Sequence, residues 1–321
     1  MATAPSDPGT EVPRALAARF RISRVLGAGG MGVVFLGEMP GTGKPCAVKI
    51  VKVSGNDRHR RRLEREARML SRVRHPNLVE VYDLGVEPEG PWLAMERVEG
   101  RSLAELCKQE GAAGPDPEWL ADVVRDTAAA LEALHREGVV HRDVKPGNIF
   151  LAAAPPGNPG SIPDPDGGGA WRVRVADFGL AREAGSDAPG TPIGTPVTMS
   201  PEAANGLLSR IDARSDVYSL GCILYRMLTG VQPYPGNSLQ ELLPLITASE
   251  PVPVDVRRPG LHRDVTAIVQ MAMARDPRHR YPDGNALAGD LDRYLRGEAI
   301  DARRPPLSWR VRRALSRHAL A

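Results

Sequence analysis

The chain has 321 residues, enough for one large domain or two modest ones. A hydrophobic fraction of 42%, a charged fraction of 25% and a net charge of +3 exclude collagen, a coiled coil and a chain disordered throughout, and no run approaches the roughly eighteen apolar residues of a membrane span. Cys46, Cys107 and Cys222 are widely spaced and odd in number, which excludes a disulfide framework or zinc-type spacing and suits a reducing compartment.

Residues 1–19 read as a disordered leader, since the first fourteen mix acids, prolines and small polar residues with no apolar signal segment behind them. Three strand-like runs come next, FRISRVLG, VVFLGEM and PCAVKIVK, separated by glycine-bearing turns. A charged helix is expected over 57–73, then two more strands, LVEVYDLG and PWLAMERV. Residues 20–98 thus predict an antiparallel sheet carrying one helix.

Beyond Gly100 the pattern turns helical. Ser102 and Glu105 form a capping box opening a short helix. From Glu118 to Arg136, Leu120, Val123, Val124, Thr127, Leu131 and Leu134 recur at steps of three and four, the mark of a buried helical face. Further helices are expected at 212–229, 238–248, 264–275 and 283–296. Residues 152–170, almost all Pro, Gly, Ala and polar, read as a flexible insertion unable to pack a core. Residues 297–321 form a basic tail whose arginines alternate with Trp309, Val311 and Leu315.

The chemistry concentrates in a few runs. Gly27, Gly29 and Gly32 lie in a GxGxxGxV pattern, where glycines bring backbone N–H groups close to phosphate oxygens. A dinucleotide site needs a helix after such a loop, and here a strand comes instead. Seventeen residues on, Lys49 sits inside an apolar strand; only five of the 42 basic residues are lysines, so a compact point charge is singled out, although an edge-strand side chain facing water is the alternative. Glu66, with Glu64 as competitor, is placed on the charged helix to hold Lys49. His141-Arg142-Asp143-Val144-Lys145-Pro146-Gly147-Asn148 packs an acid, a lysine and an amide into one short loop after the long helix. Thirty-four residues past Asp143 stands Asp177-Phe178-Gly179, behind the strand-like run WRVRVA.

From about Phe20 to Leu295 the sequence resembles the eukaryotic-type protein kinases, specifically the bacterial serine/threonine kinases. The resemblance rests on GAGGMGVV, CAVK, Glu66 followed by His75-Pro76-Asn77, HRDVKPGN, DFG, GTPVTMSPE, DVYSLG and DPRHR, all in register. It implies an α+β, bilobal fold: a sheet-rich N-lobe over 20–98 and a mainly helical C-lobe over 99–296. It implies transfer of the γ-phosphoryl group of ATP to Ser or Thr hydroxyls of proteins, and to the chain itself by autophosphorylation. Lys49, held by Glu66, would contact the α- and β-phosphates, Asp143 would accept the hydroxyl proton, and Lys145 would neutralise the moving phosphoryl group. Asn148 and Asp177 would bind magnesium, with manganese as a substitute. Gly27, Gly29 and Gly32 would cover the phosphates. Val34, Ala47 and Phe150 would line the adenine pocket, Met95 would be its gatekeeper, and Glu96 and Val98 would form the hinge.

By the same resemblance Asp216 would tie down the loop at Arg142, and Glu202 would pair with Arg280. Arg142 would meet a phosphorylated activation segment, with Thr191 the first and Ser186 the second candidate phosphosite. Thr198 stands where bacterial relatives carry an aromatic residue, Arg97 replaces a common hinge tyrosine, and Phe150 is bulky for its position. A non-catalytic pseudokinase would have lost Lys49, Asp143 or Asp177, and a small-molecule kinase would lack the SPE and DPxxR runs. Nothing implies specific nucleic-acid binding. The basic tail suits weak contact with a membrane surface, and the expected location is the cytoplasm, or the cytoplasmic part of a membrane-anchored receptor kinase.

Overall fold

The computed structural model describes residues 12–29, 32–51, 68–87, 90–109, 115–155, 157, 160–165, 167–178 and 195–303. The strands β1 (Arg24–Gly29), β2 (Gly32–Glu38), β3 (Pro45–Val51), β4 (Val81–Glu87) and β5 (Gly90–Glu96) form one antiparallel sheet in the order β1-β2-β3-β5-β4. Successive side chains of a strand face opposite sides of its sheet, and β3 and β5 divide their residues accordingly. Cys46, Val48, Trp92 and Ala94 pack into an outer apolar cluster, whereas Ala47, Val51, Leu93 and Met95 join the main core. Lys49 lies between Ala47 and Val51, so it takes the inner face. Because β3 is paired on both sides, Lys49 is not an edge residue facing water.

The outer face corrects the reading of a disordered leader for residues 12–19, while 1–11 lie outside the described residues. Helix α1 (Arg14–Arg19) lies on it, with Leu16 and Phe20 each 1% exposed. Phe20 meets Trp92 edge-on at 5.2 Å, and Arg19 both stacks on Trp92 and pairs with Asp83 at 2.7 Å. Apolar anchors in so short a segment escape a composition argument, because a sheet face supplies the apolar area that the segment lacks by itself.

In the C-lobe, β6 (Gly100–Ser102), β7 (Ile149–Ala154), β8 (Ile162–Pro163) and β9 (Ala170–Val175) form a second antiparallel sheet in the order β6-β7-β9-β8. Helices α2 (Leu103–Gln109), α3 (Pro117–Arg136), α4 (Pro201–Ala204), α5 (Ala213–Thr229), α6 (Leu239–Ala248), α7 (Val254–Arg257), α8 (Arg263–Ala272) and α9 (Gly284–Leu295) complete it. The capping box is present: Ser102 Oγ accepts from Glu105 N, and Glu105 accepts from Ser102 N at 2.7 Å. Asp116 caps α3, whose apolar stripe is buried as its spacing predicts. Gly284, at the start of α9, is required by contact: a Cβ there would meet Ala128 O of α3 at 2.4 Å.

Residues 152–170 are not simply a flexible insertion. The β7–β9 ladder runs through Ala152, Ala153 and Ala154, and β8 adds to its edge. Ile162 is 1% exposed in the main core, and Trp119 Nε1 donates to Pro163 O at 3.0 Å. One isoleucine suffices to anchor the segment because a pre-formed helix face receives it. The C-lobe also runs past 296: Ile300 is buried, and Asp290 accepts from the backbone N–H groups of Asp301 and Ala302 at 2.8 Å each. Of the expected helix over 57–73, residues 68–70 are helical and 52–67 lie outside the described residues. The tail from 304 onward lies outside them too.

Candidate active site

The glycine-rich run is the β1–β2 hairpin, in which Gly29 faces Gly32 and Gly27 faces Val34. It leads into a strand, so the dinucleotide arrangement is absent. Gly32 has φ 144°, and a Cβ there would fall 1.9 Å from Ile50 O, so no other residue fits. Gly27 and Gly29 are exposed, with open space where side chains would project. Val34 pairs with Lys49 and Ala47 with Met95, which places these four residues in adjoining rungs of β2, β3 and β5. Val98 packs on the main core, and Phe150 is half-buried on β7, two residues past Asn148.

Lys49 is 6% exposed and its Nζ donates to Asp177 Oδ1, so the described partner of Lys49 is Asp177. Glu66 and Glu64, expected to hold Lys49, lie outside the described residues, as do Thr191, Ser186 and Gly179. Asp177 has φ 61°, a left-handed conformation that costs a non-glycine residue of order ~1–3 kcal/mol. Arg142 shares it with φ 63°. Such strain persists only where neighbours over-determine it, and Asp216 supplies that at Arg142. Its carboxylate accepts from His141 N at 2.8 Å and Arg142 N at 2.9 Å, and it meets His135 Nε2 at 2.8 Å. Burial pushes the Asp216 carboxyl up, but His135 and the backbone donors outweigh it and hold the group below its usual range.

Asp143 is 2% exposed; Lys145 Nζ donates to its Oδ2 at 2.7 Å and Thr195 Oγ1 to its Oδ1 at 2.6 Å. His141 Nδ1 accepts from Asp143 N at 3.3 Å, which leaves Nε2 as the donor to Ala176 O at 3.1 Å. The same ring stands 5.9 Å from Phe178. The loop and the Asp177 turn are thus joined through one imidazole.

Asn148 and Asp177 sit at the same end of two paired strands, because Ile149 faces Val175. Asn148 Nδ2 donates to Asp143 O at 2.9 Å, so Oδ1 is the side-chain atom that could ligate a cation. The two residues offer hard oxygen donors, the type magnesium takes. Among the described residues no group of three His, Cys, Asp or Glu side chains could hold a metal alone. The pair therefore fits a cation that shares its remaining ligands with phosphate oxygens and water, as magnesium does in nucleotide sites.

Beneath this layer Glu202 and Arg280 form a bidentate ion pair at 2.7 and 2.9 Å, with the Arg280 side chain fully buried. Arg280 also donates to the carbonyls of Ala274, Arg275 and Arg214. Burial pushes Glu202 up, and Arg280 more than reverses it, so the carboxyl lies below its usual range. Glu96 carries a contact that sequence reasoning did not find: its carboxylate pairs with Arg174 of β9. His135 was also missed. Its position at the end of α3 carried no signal, because its partner Asp216 is 81 residues away.

A sheet-rich lobe and a helical lobe, with the glycine hairpin, Lys49, Asp143 and Asp177 between them, define the two-lobed kinase fold. The sequence profile of the protein kinase domain matches residues 20–287, and the chain belongs to that family. It is 35% identical over 301 residues to serine/threonine-protein kinase PknB of Mycobacterium tuberculosis, covering 90% of this chain and 45% of that one. Serine/threonine-protein kinase pkn2 of Myxococcus xanthus is 35% identical over 287 residues, covering 85% and 32%. The chain thus spans less than half the length of these curated relatives. The crystal structure of the Mycobacterium tuberculosis PknI kinase domain superposes with a TM-score of 0.65 at 25% identity, covering 86% of this chain and 96% of that one.

Proposed function

We propose that the chain transfers the γ-phosphoryl group of ATP to serine and threonine hydroxyls of proteins. The observation that carries this reading is the convergence of Lys145 and Thr195 on the two oxygens of Asp143, with Lys49 on Asp177 in the same cleft. Asp143 takes the proton of the attacking hydroxyl as its oxygen bonds to the γ-phosphorus and the bond from that phosphorus to the β,γ-bridging oxygen breaks, releasing ADP. Lys145, already beside it, neutralises charge on the transferred group. Phosphoryl transfer asks little covalent work of a protein, so positioning and charge stabilisation carry the rate. Lys49 orients the α- and β-phosphates, and the open glycine hairpin covers them. Asn148 and Asp177 would hold magnesium, which supplies charge neutralisation across the phosphates. The fixed Asp216 contacts keep Asp143 in place while the substrate changes.

Autophosphorylation, Arg142 as the receiver of an activation-segment phosphate, and Thr191 as its site remain part of this reading. So does a cytoplasmic location, which suits three cysteines that form no disulfide. Among the described residues no helix is long and apolar enough to cross a membrane. The test is incubation with magnesium ATP and a generic protein substrate, followed by phosphosite mapping on both proteins. Phosphoserine and phosphothreonine that vanish in Asp143→Asn are expected; transfer that survives this substitution would sink the assignment.

A further inference from the structure

The junction between the two sheets holds a side chain with no part in phosphoryl transfer itself. Arg174 lies on β9, three residues before Asp177, and its neighbours Val173 and Val175 are buried in the core. Its side chain is 13% exposed. One arm of the guanidinium pairs with the carboxylate of Glu96, the last residue of β5, and Nη1 donates to Pro76 O at 2.5 Å. A planar fork meets two acceptors at once in a way that an ammonium cannot.

The backbone around this contact is a three-way crossing. Residues 77–80 run between β9 and the end of β5. Val175 N donates to Asn77 O at 2.7 Å and Val79 N to Val175 O at 2.9 Å on one side; Glu96 N donates to Glu80 O at 2.8 Å on the other. Asn77 Nδ2 reaches Val173 O at 3.1 Å, and Glu80 N reaches Glu96 Oε2 at 3.2 Å. Arg174 is the side chain that joins all three strands of the crossing. Glu96 therefore has its backbone at the entry of the connection between lobes and its carboxylate fastened to the strand that ends at Asp177.

We infer that Arg174 is a positioning residue for nucleotide binding, which fixes the Glu96–Val98 connection relative to Asp177 and Lys49. The inference rests on the kinase reading, because it assigns adenine recognition to the backbone of Glu96 and Val98. The Glu96 backbone at the end of β5 and Asp177 just past β9 would serve one nucleotide from two different sheets, so a set angle between β5 and β9 lowers the ordering needed on binding. The described side-chain contacts of Arg174 are to Glu96 and Pro76 and not to Asn148 or Asp177, so its removal should weaken ATP binding and spare the chemical step.

The test is Arg174→Met in the full chain, with the Kd of magnesium ATP measured by calorimetric titration alongside kcat and both KM values. Binding weaker by about tenfold is expected, the ~1.4 kcal/mol of one charge-assisted contact. The KM for ATP should rise in step, kcat should stay within about threefold and the KM for the protein substrate should not move. Arg174→Lys should fall between Arg174→Met and wild type, since it keeps charge and loses the fork. Glu96→Gln should reproduce the loss, and Glu96→Gln with Arg174→Met should be no worse than either alone. Unaltered ATP binding in Arg174→Met, or a drop in kcat matched by equal rises in both KM values, would overturn the inference and leave the kinase reading standing. Tighter binding or faster turnover in that variant would overturn it too, since the contact would then be a restraint. Wild-type protein that binds no nucleotide would overturn both.

Discussion

Two ionic clusters, one inside the C-lobe and one where Lys49 of the N-lobe sheet meets the C-lobe, are built on opposite plans. In the first Arg280 is fully buried, and its donors are shared among Glu202 and the carbonyls of Ala274, Arg275 and Arg214. Glu202 in turn takes Ser215 Oγ at 2.6 Å. In the second Lys49 meets Asp177 and Lys145 meets Asp143 through single contacts, and the side chains of Lys145 and Asp177 are 27% and 31% exposed. A saturated cluster has nothing left to offer a ligand and can only hold the chain in place. The second cluster is partly open to solvent, and in the proposed reading it is the one that meets phosphate, metal and hydroxyl. Charge count does not separate the two; the exposure of Lys145 and Asp177 against the burial of Arg280 and Glu202 does.

That contrast is broken most sharply by removing function without structure. Asp143→Asn should lower phosphate transfer by about 10²–10⁴-fold, the range of general-base loss, with little change in thermal melting. A large drop in melting temperature for this variant would mean that Asp143 belongs with the structural cluster. The reverse experiment is Glu202→Gln, which leaves Arg280 buried without its counter-charge. Urea unfolding should show a loss of about 3–5 kcal/mol, the cost of breaking a buried ion pair. A loss under ~1 kcal/mol would place the pair with ordinary surface bridges.

Two apolar docking points sharpen the comparison between composition and packing. Leu16→Ala should cost ~2–5 kcal/mol through the outer face of the N-lobe sheet. Ile162→Ala, on a two-residue edge strand, should fall at the lower end of that range, about 2 kcal/mol. Calorimetric melting reads both, and wild-type melting in either variant would show that its segment rests on the lobe without anchoring it.

The smallest effect concerns pH. Burial lowers the affinity of His135 for a proton, but Asp216 more than compensates, so its pKa is raised above the ordinary 6.5. A raised value means stability that is fully present below the ordinary histidine range and lost as pH rises through the folded value. Glu202 is depressed, so its contribution is present above the ordinary carboxylate range and lost as pH falls through the folded value. Stability should therefore slope downward on both flanks. His135→Gln should flatten the alkaline flank; an unchanged slope there would assign it to another group.

The periodic and punctuated parts of this chain were legible because their signals are local. Five strands, the α3 stripe, the Ser102 capping box and the loop from His141 to Asn148 each lie within a few residues of their own cause. The candidate site was legible for a related reason, since Asp143, Lys145 and Asn148 share one loop and Asp177 comes just after a short strand. Contacts between residues far apart in the chain were not. Arg174 meets Glu96 across two sheets, His135 meets Asp216 across 81 positions, and Ile162 finds its pocket only once α3 exists.

By itself the sequence determined which segments become strands and helices, and which residue types stand ready for phosphate chemistry, because backbone propensity and side-chain period act over one or two turns. Only the tertiary structure decided that Leu16 and Ile162 are anchors within segments that look unstructured. Burial is a property of two surfaces, and one of them is supplied by distant parts of the chain. It also decided that the Asp216 carboxylate serves His135, His141 and Arg142 together. A buried acid is tolerated only when donors converge on it, and that convergence exists nowhere but in the folded chain.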